Sequence, residues 1–255
     1  MGYNRHKRCL IAGNWKMNGL LEDAEQFIGE MVANPAPESV EVAIMAPFTL
    51  LHPMKGPLDK QGIRLGAQNV YFEAKGAFTG SISAMMLRDI GCHYAIIGHS
   101  ERRHIMGESD EQIKAKLHAA WAAGLDPILC IGEQLSERED GSTNAVLETQ
   151  LQVLKGAMAD APLTVAYEPV WAIGTGLTPT LEQVTETHAF IHDVLKGLGK
   201  PSRVLYGGSA NAGNAHELLS CEGVNGLLVG GASLSAASFS KIIEAAGKVA
   251  REVKA

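Results

Sequence analysis

Eight short apolar runs recur along the chain, each closing on polar or glycine-rich residues and each followed by an amphipathic stretch. They read "CLIAGNW", "EVAIMAP", "IRLGAQ", "YAIIGHS", "PILCIGE", "LTVAYEP", "RVLYGG" and "GLLVGG". Apolar and polar residues alternate poorly within them, as in strands buried on both faces. Such strands need cover on each face, and strand–helix alternation implies parallel strands joined by crossovers. The intervening stretches fit that role. Residues Glu108–Ala123 place Ile113, Leu117 and Ala120 on one face, with Ser109 or Asp110 available as the cap. "LTPTLEQVTETHAFIHDVLKGLG" has Pro179 near a helix start and Gly199 past its end. Periodicity alone does not separate an open doubly wound sheet from a closed barrel. Eight repeats in 255 residues favour an α/β fold of the (β/α)8 barrel type. With no linker or composition shift, residues 1–255 read as one domain. A dinucleotide-binding reading is weak, because "AGNWKMNG" rather than G-x-G-x-x-G follows the first run.

Composition narrows the partners. A formal net charge of −6 argues against nucleic acid or an anionic membrane as the main partner. The basic "NRHKR" at Asn4–Arg8 reads as a solvated tail, and no apolar run approaches the roughly 20 residues of a membrane span. Cys9, Cys92, Cys130 and Cys221 stand apart with no C-x-x-C spacing, which suits a reduced, cytoplasmic protein.

In a (β/α)8 barrel the active site lies where strands end and the following loops begin. The first run ends in Asn14 and Lys16, the fourth in His99 and Glu101, and the sixth in Glu168. The seventh and eighth end in Gly207–Ser209 and Gly230–Ser233. Each has an ordinary explanation when taken alone: a solvated lysine, a structural histidine, a first-turn helix carboxylate at Glu101, turn glycines. Gathered at one mouth they read differently. Gly-rich turns after the last two strands let main-chain N–H groups approach a phosphate. The remaining groups then suit proton chemistry beside a carbonyl, with Glu168 as base, His99 and Asn14 donating to the oxygen, and Lys16 supplying positive charge. No metal is expected, and nothing calls for a cofactor. A Schiff-base aldolase would need a lysine deep in a strand, and only Lys16 comes close.

Glu168 stands out even singly. Burying an unpaired carboxylate costs several kcal/mol, on the order of a relaxed Born penalty. Yet the run before Glu168 is apolar, and Pro169, Trp171 and Ile173 cover it.

The strings "AGNWKMNG", "GAQNVYFEAKGAFTG", "IIGHSERR", "CIGE", "AYEPVWAIGTG", "LYGGS" and "LVGGASL" occur in the order found in the triosephosphate isomerase family, and the chain resembles that family along essentially its whole length. The resemblance implies a TIM barrel that interconverts dihydroxyacetone phosphate and D-glyceraldehyde 3-phosphate. It implies that Glu168 shuttles the proton, that a neutral His99 stabilises the enediolate, and that Lys16 and Asn14 complete the cradle. The glutamate base with a neutral histidine under a closing loop is the family's known arrangement rather than a deduction from spacing. Glu101 would orient Lys16, and the N–H groups of Gly174, Ser209 and Gly231, with Gly230 beside them, would bind phosphate. Residues 169–176 match the family's lid: Pro169 at one hinge, Trp171 held by Glu133 when open, then Ile173, Gly174, Thr175 and Gly176. Closure would bring Ile173 and Leu228 against Glu168, exclude water and raise its basicity.

The resemblance also implies a homodimer, with the loop carrying Thr79 inserted beside the neighbour's Asn14 and Lys16. Four positions depart from the family pattern. Ser81 stands where a glutamate commonly faces the residue matching Arg102. Pro179 removes an N–H that the family offers to the tyrosine matching Tyr206. His192 and Asn225 replace a paired arginine and aspartate, and a neutral His192 is expected to bond the Asn225 side chain. The alternative functions are an isomerase of a four-carbon sugar phosphate on the same fold and a non-catalytic sugar-phosphate-binding barrel. The presence of Lys16, His99 and Glu168 together argues against the latter.

Overall fold

Each apolar run forms a strand in the computed structural model, which describes residues 8–158, 160–173 and 177–252. The strands are β1 (Cys9–Asn14), β2 (Val40–Ala46), β3 (Arg64–Ala67), β4 (Tyr94–Ile97), β5 (Asp126–Ile131), β6 (Thr164–Tyr167), β7 (Arg203–Tyr206) and β8 (Gly226–Val229). They pair in chain order, all parallel, and β8 closes on β1 to complete the barrel. This is the expected (β/α)8 TIM barrel. No helix among the described residues is long and apolar enough to cross a membrane.

Strand parity divides the core into two layers. Leu10, Ala12, Ala43, Met45, Tyr94, Ile96, Ile128, Cys130, Ala166, Leu205 and Leu228 point inward and fill the barrel. Their neighbours Ile11, Val42, Ile44, Ile97, Leu129, Val165 and Val204 point outward beneath the helices. Gly66 carries no side chain because a Cβ there would overlap the Met45 sulfur. At the amino end of the barrel, Arg203 Nη1 pairs with Glu41 Oε2 at 2.8 Å, and Nη2 donates to Tyr94 Oη at 2.9 Å. Tyr94 in turn donates to Glu41 Oε1 at 2.8 Å, so the inward charges form a closed triad.

The helices begin where their capping residues dictate. Helix Asp110–Ala122 is capped by Ser109, whose hydroxyl accepts from Gln112 N while Gln112 Oε1 accepts from Ser109 N. Asp110 instead pairs with Arg103 at 2.7 Å. Thr180 and Gln183 repeat the reciprocal cap on helix Leu181–Gly197, with Pro179 just outside it. Gly199, at φ +69°, follows its end.

One expectation fails. His192 does not bond Asn225: its Nε2 lies 2.8 Å from the Gly223 carbonyl oxygen, and Asn225 Oδ1 accepts from Val204 N at 2.9 Å. The cause is local. The β7–β8 ladder is reduced to the pair Tyr206–Leu227, so the Val204 N–H needs an acceptor, and the Asn225 amide supplies it. His192 turns to the carbonyl within its own reach.

Candidate active site

The site assembles at the carboxyl ends of the strands. Asn14 closes β1, and its Oδ1 accepts from Lys16 N at 3.0 Å, folding the chain back on itself. Lys16 therefore sits at φ +55°, the one non-glycine residue with positive φ among the described residues. Such a conformation costs about 1–3 kcal/mol and persists only where surrounding structure enforces it. It directs Nζ to within 2.6 Å of Glu101 Oε1. Gly230, at the end of β8, is close enough that a Cβ would lie 3.6 Å from Lys16 Cε.

β4 stops early so that His99 can cap helix Ser100–His104. The His99 Nδ1 accepts the Glu101 N–H at 3.2 Å, which only a neutral ring does. The ring proton is then on Nε2, 2.9 Å from Glu168 Oε1. The other oxygen, Oε2, accepts the Ser100 N–H at 2.9 Å. Glu168 is 2% exposed, and burial pushes its carboxyl upward, but the His99 ring, the Ser100 N–H and Lys16 together hold it below the ordinary carboxylate range. Burial likewise pushes His99 downward, while Glu168 raises it by charge and hydrogen bond and outweighs burial in this arrangement.

The segment after β6 is tied down at its start. Val170 N donates to Glu133 O at 3.1 Å, and a short helical turn spans Val170–Ala172 behind Pro169. The Trp171 indole N–H donates to Glu133 Oε1 at 2.8 Å, the expected partner, and Tyr167 donates to the same oxygen at 3.1 Å. Arg138 lies over the indole, 5.7 Å from its centroid. Ser209 Oγ, after β7, donates to Ala172 O at 2.7 Å, so the segment after β6 and the Gly-rich turn are joined. Asn214 holds the Ser209 carbonyl at 2.9 Å. Gly231 opens the turn Gly231–Leu234 after β8, and Leu228 fills the barrel below. Ile173 is half-buried, whereas Gly174, Thr175 and Gly176 lie outside the described residues. Thr79 is exposed, and Arg102 pairs with Glu108 at 2.6 Å within its own chain. Among the described residues, no group of three or more His, Cys, Asp or Glu is arranged to hold a metal ion.

Asn14, Lys16, His99, Glu101 and Glu168 thus converge from β1, β4 and β6, with the turns after β7 and β8 beside them. Sequence reasoning missed the Ser100 N–H, which carries no side-chain signal. It also missed Gly132 and Gln150, whose buried polar contacts lie behind Glu168.

A model of the family described as "Triosephosphate isomerase" matches residues 9–246. The chain belongs to the triosephosphate isomerase family. It is 47% identical to the triosephosphate isomerase of Aquifex aeolicus (strain VF5) over 243 residues, covering 92% of this chain and 98% of that one. It is 46% identical to that of Endomicrobium trichonymphae over 249 residues, covering 93% and 98%. It is also 47% identical to that of Thiobacillus denitrificans (strain ATCC 25259 / T1) over 249 residues, covering 95% and 100%.

Proposed function

We infer that the chain interconverts dihydroxyacetone phosphate and D-glyceraldehyde 3-phosphate, with Glu168 as the proton carrier. The observation that carries this reading is the buried Glu168 carboxylate, held by a neutral imidazole and a helix N-terminal N–H, with an ammonium opposite. In the reaction Glu168 leaves these partners and takes the proton from the carbon beside the substrate carbonyl. The His99 Nε2–H and Lys16 stabilise the charge that develops on oxygen, His99 gives its Nε2 proton to the former carbonyl oxygen and takes one back from the neighbouring hydroxyl, and Glu168 returns its proton to the neighbouring carbon. Glu101 holds Lys16 in place. Ser209, Gly230, Gly231 and Gly174 cradle the phosphate, and the 169–176 segment closes over the site to exclude water.

The enzyme works as a homodimer. Large apolar side chains stay exposed at Met17, Phe48, Phe78, Met85, Met86 and Ile105, all on segments that follow β1 to β4. A second copy, engaged through the Thr79 loop, would cover them. Four free thiols suit the cytoplasm. The test is a coupled assay on glyceraldehyde 3-phosphate, run beside a panel of four-carbon sugar phosphates. Glu168→Gln should lower kcat by at least ~10³, since losing a positioned base alone costs about 10²–10⁴. A variant retaining a tenth of wild-type kcat would exclude Glu168 as the base. Preference for a four-carbon substrate would overturn the triose assignment. Full specific activity in a species that sedimentation shows to be monomeric would refute the dimer.

A further inference from the structure

The end of β5 is held by a side chain where a strand would ordinarily hold it. In a parallel ladder, alternate residues of one strand bond to opposite neighbours. Past the end of β5, the carbonyls of Ile131 and Glu133 face β6: Glu168 N donates to Ile131 O at 2.7 Å and Val170 N to Glu133 O at 3.1 Å. Gly132, between them, therefore turns its N–H and C=O toward β4. That strand has already left. Its last paired residue, Ile97, sits opposite Leu129, and Gly98 at φ +71° turns the chain away toward His99. The Gly132 N–H and C=O would be orphaned in the interior, where unpaired main-chain groups are rare.

Gln150, on helix Thr143–Leu151, fills the vacancy. Its Oε1 accepts the Gly132 N–H at 2.8 Å and its Nε2 donates to Gly132 O at 3.0 Å, both contacts buried. A primary amide presents the acceptor and donor of a peptide unit, so the side chain serves as one rung of a missing strand. Arg103 does the same one rung earlier, donating to Cys130 O at 3.3 Å and to Gly98 O at 2.9 Å. The rung bears directly on the reacting carboxylate. Gly132 packs so tightly under Glu168 that a Cβ there would overlap the Glu168 carbonyl oxygen. A displacement of Gly132 moves the Glu168 main chain with it.

We propose that Gln150 is a positioning residue for the proton-transferring carboxylate, its amide replacing a strand at Gly132 and so fixing the Glu168 main chain and the start of the lid. The inference rests on the proposed function for its kinetic consequence. A 1 Å misplacement remote from the chemistry costs on the order of 10²-fold in rate. Gln150→Met keeps the length of the side chain and removes both bonds. It should lower kcat about 10–100-fold on that principle, leave inhibition by inorganic phosphate within about twofold, and weaken a phosphorylated carboxylate that mimics the enediolate by the same factor as kcat/KM. Gln150→Glu gives a second readout in a variant that keeps the fold when the first does not. As a neutral acid, the introduced carboxyl still accepts and donates; once ionised, it cannot donate. The variant's kcat should therefore fall as pH rises through the introduced group's pKa, a step absent from wild type. Amide exchange at Gly132, Glu168 and Val170 reads the rung with no substrate at all, and should accelerate at least about tenfold in Gln150→Met while the rest of the barrel stays protected. Folded variants with wild-type kcat, or exchange unchanged at those three amides, would overturn the proposal. A wild-type protein that fails to isomerise triose phosphates would instead overturn the proposed function, leaving the exchange result to decide the rung.

Discussion

Acidification should destabilise this barrel through one buried ring, His188, and the size of the effect follows from where it sits. His188 lies on helix Leu181–Gly197, fully buried, with its ring edge-on to Tyr167 at 5.9 Å between centroids. Its Nδ1 donates to Gly223 O at 3.3 Å, and its Nε2 is buried with no partner. A proton added at Nε2 would place a charge in the apolar layer next to His192, which bonds the same carbonyl. Burial accordingly pushes the pKa down from 6.5 to about 4, with His192 adding to the fall and the Gly223 bond opposing it. The folded state thus takes up its proton later than the unfolded chain. Stability from the neutral ring is present above the unfolded pKa near 6.5 and is lost as pH falls toward 4. At about 1.4 kcal/mol per pH unit, the whole window is worth about 3 kcal/mol, of which about 2 is gone at pH 5.

The isolating variant is His188→Phe. It keeps the edge-on packing and cannot titrate, and the Gly223 carbonyl retains its bond from His192. Denaturant unfolding at one fixed protein concentration, from about pH 8 to 4.5, should show the wild type losing about 2–3 kcal/mol more than the variant across the window of the cited shift. In parallel, the His188 ring resonances should not shift until the pH is well below the ordinary histidine range. A titration midpoint near 6.5, or equal acid slopes for the two proteins, would refute the reasoning.

At the opposite end of the barrel from the site, Glu41→Ala strips Arg203 of its carboxylate and leaves a guanidinium with 4% side-chain exposure unpaired. It should cost about 3–5 kcal/mol by calorimetry or denaturant, with KM unchanged in whatever folds. On the proposed mechanism Lys16→Ala removes the charge facing the reacting oxygen and frees Glu101, so kcat/KM should drop on the order of 10²-fold. An unchanged kcat/KM at low salt would remove Lys16 from the site. Asn225→Asp keeps an acceptor for the Val204 N–H without reaching His192. Its pH–stability curve should run parallel to wild type between about pH 7.5 and 5.5, around the reference histidine pKa. A growing advantage for the aspartate on acidification would mean that the two side chains interact after all.

How much of this was legible in the sequence depends on what carries each feature. Parallel closure brings every strand end to one mouth, so reading Asn14, Lys16, His99, Glu101 and Glu168 off the ends of apolar runs named groups that do meet in the structure before any distance was known. Resemblance supplied the Trp171–Glu133 bond, which spacing alone would not give. Features carried by the main chain or by choice of partner were hidden. The Ser100 N–H has no signature beyond a helix start, and Gln150 reads as one more polar position, although its place beside the buried Leu147 and Leu151 was a usable clue. The His192–Asn225 pairing failed because both side chains had main-chain partners in reach, and the shortened β7–β8 ladder that creates them is not written as a motif.

The features hidden around Glu168 share one cause. To aim His99 and the Ser100 N–H at Glu168, β4 must leave the sheet before β5 has finished, since a strand that continued would keep those groups in the ladder. The departure exposes main-chain polar groups at Cys130 and Gly132 that a regular barrel would pair, and Arg103 and Gln150 replace the lost bonds from outside. The irregularity between β4 and β5 and the polar contacts made by Glu168 are therefore two sides of one structural requirement. A barrel with a perfect β4–β5 ladder would leave the carboxylate without its histidine and its N–H.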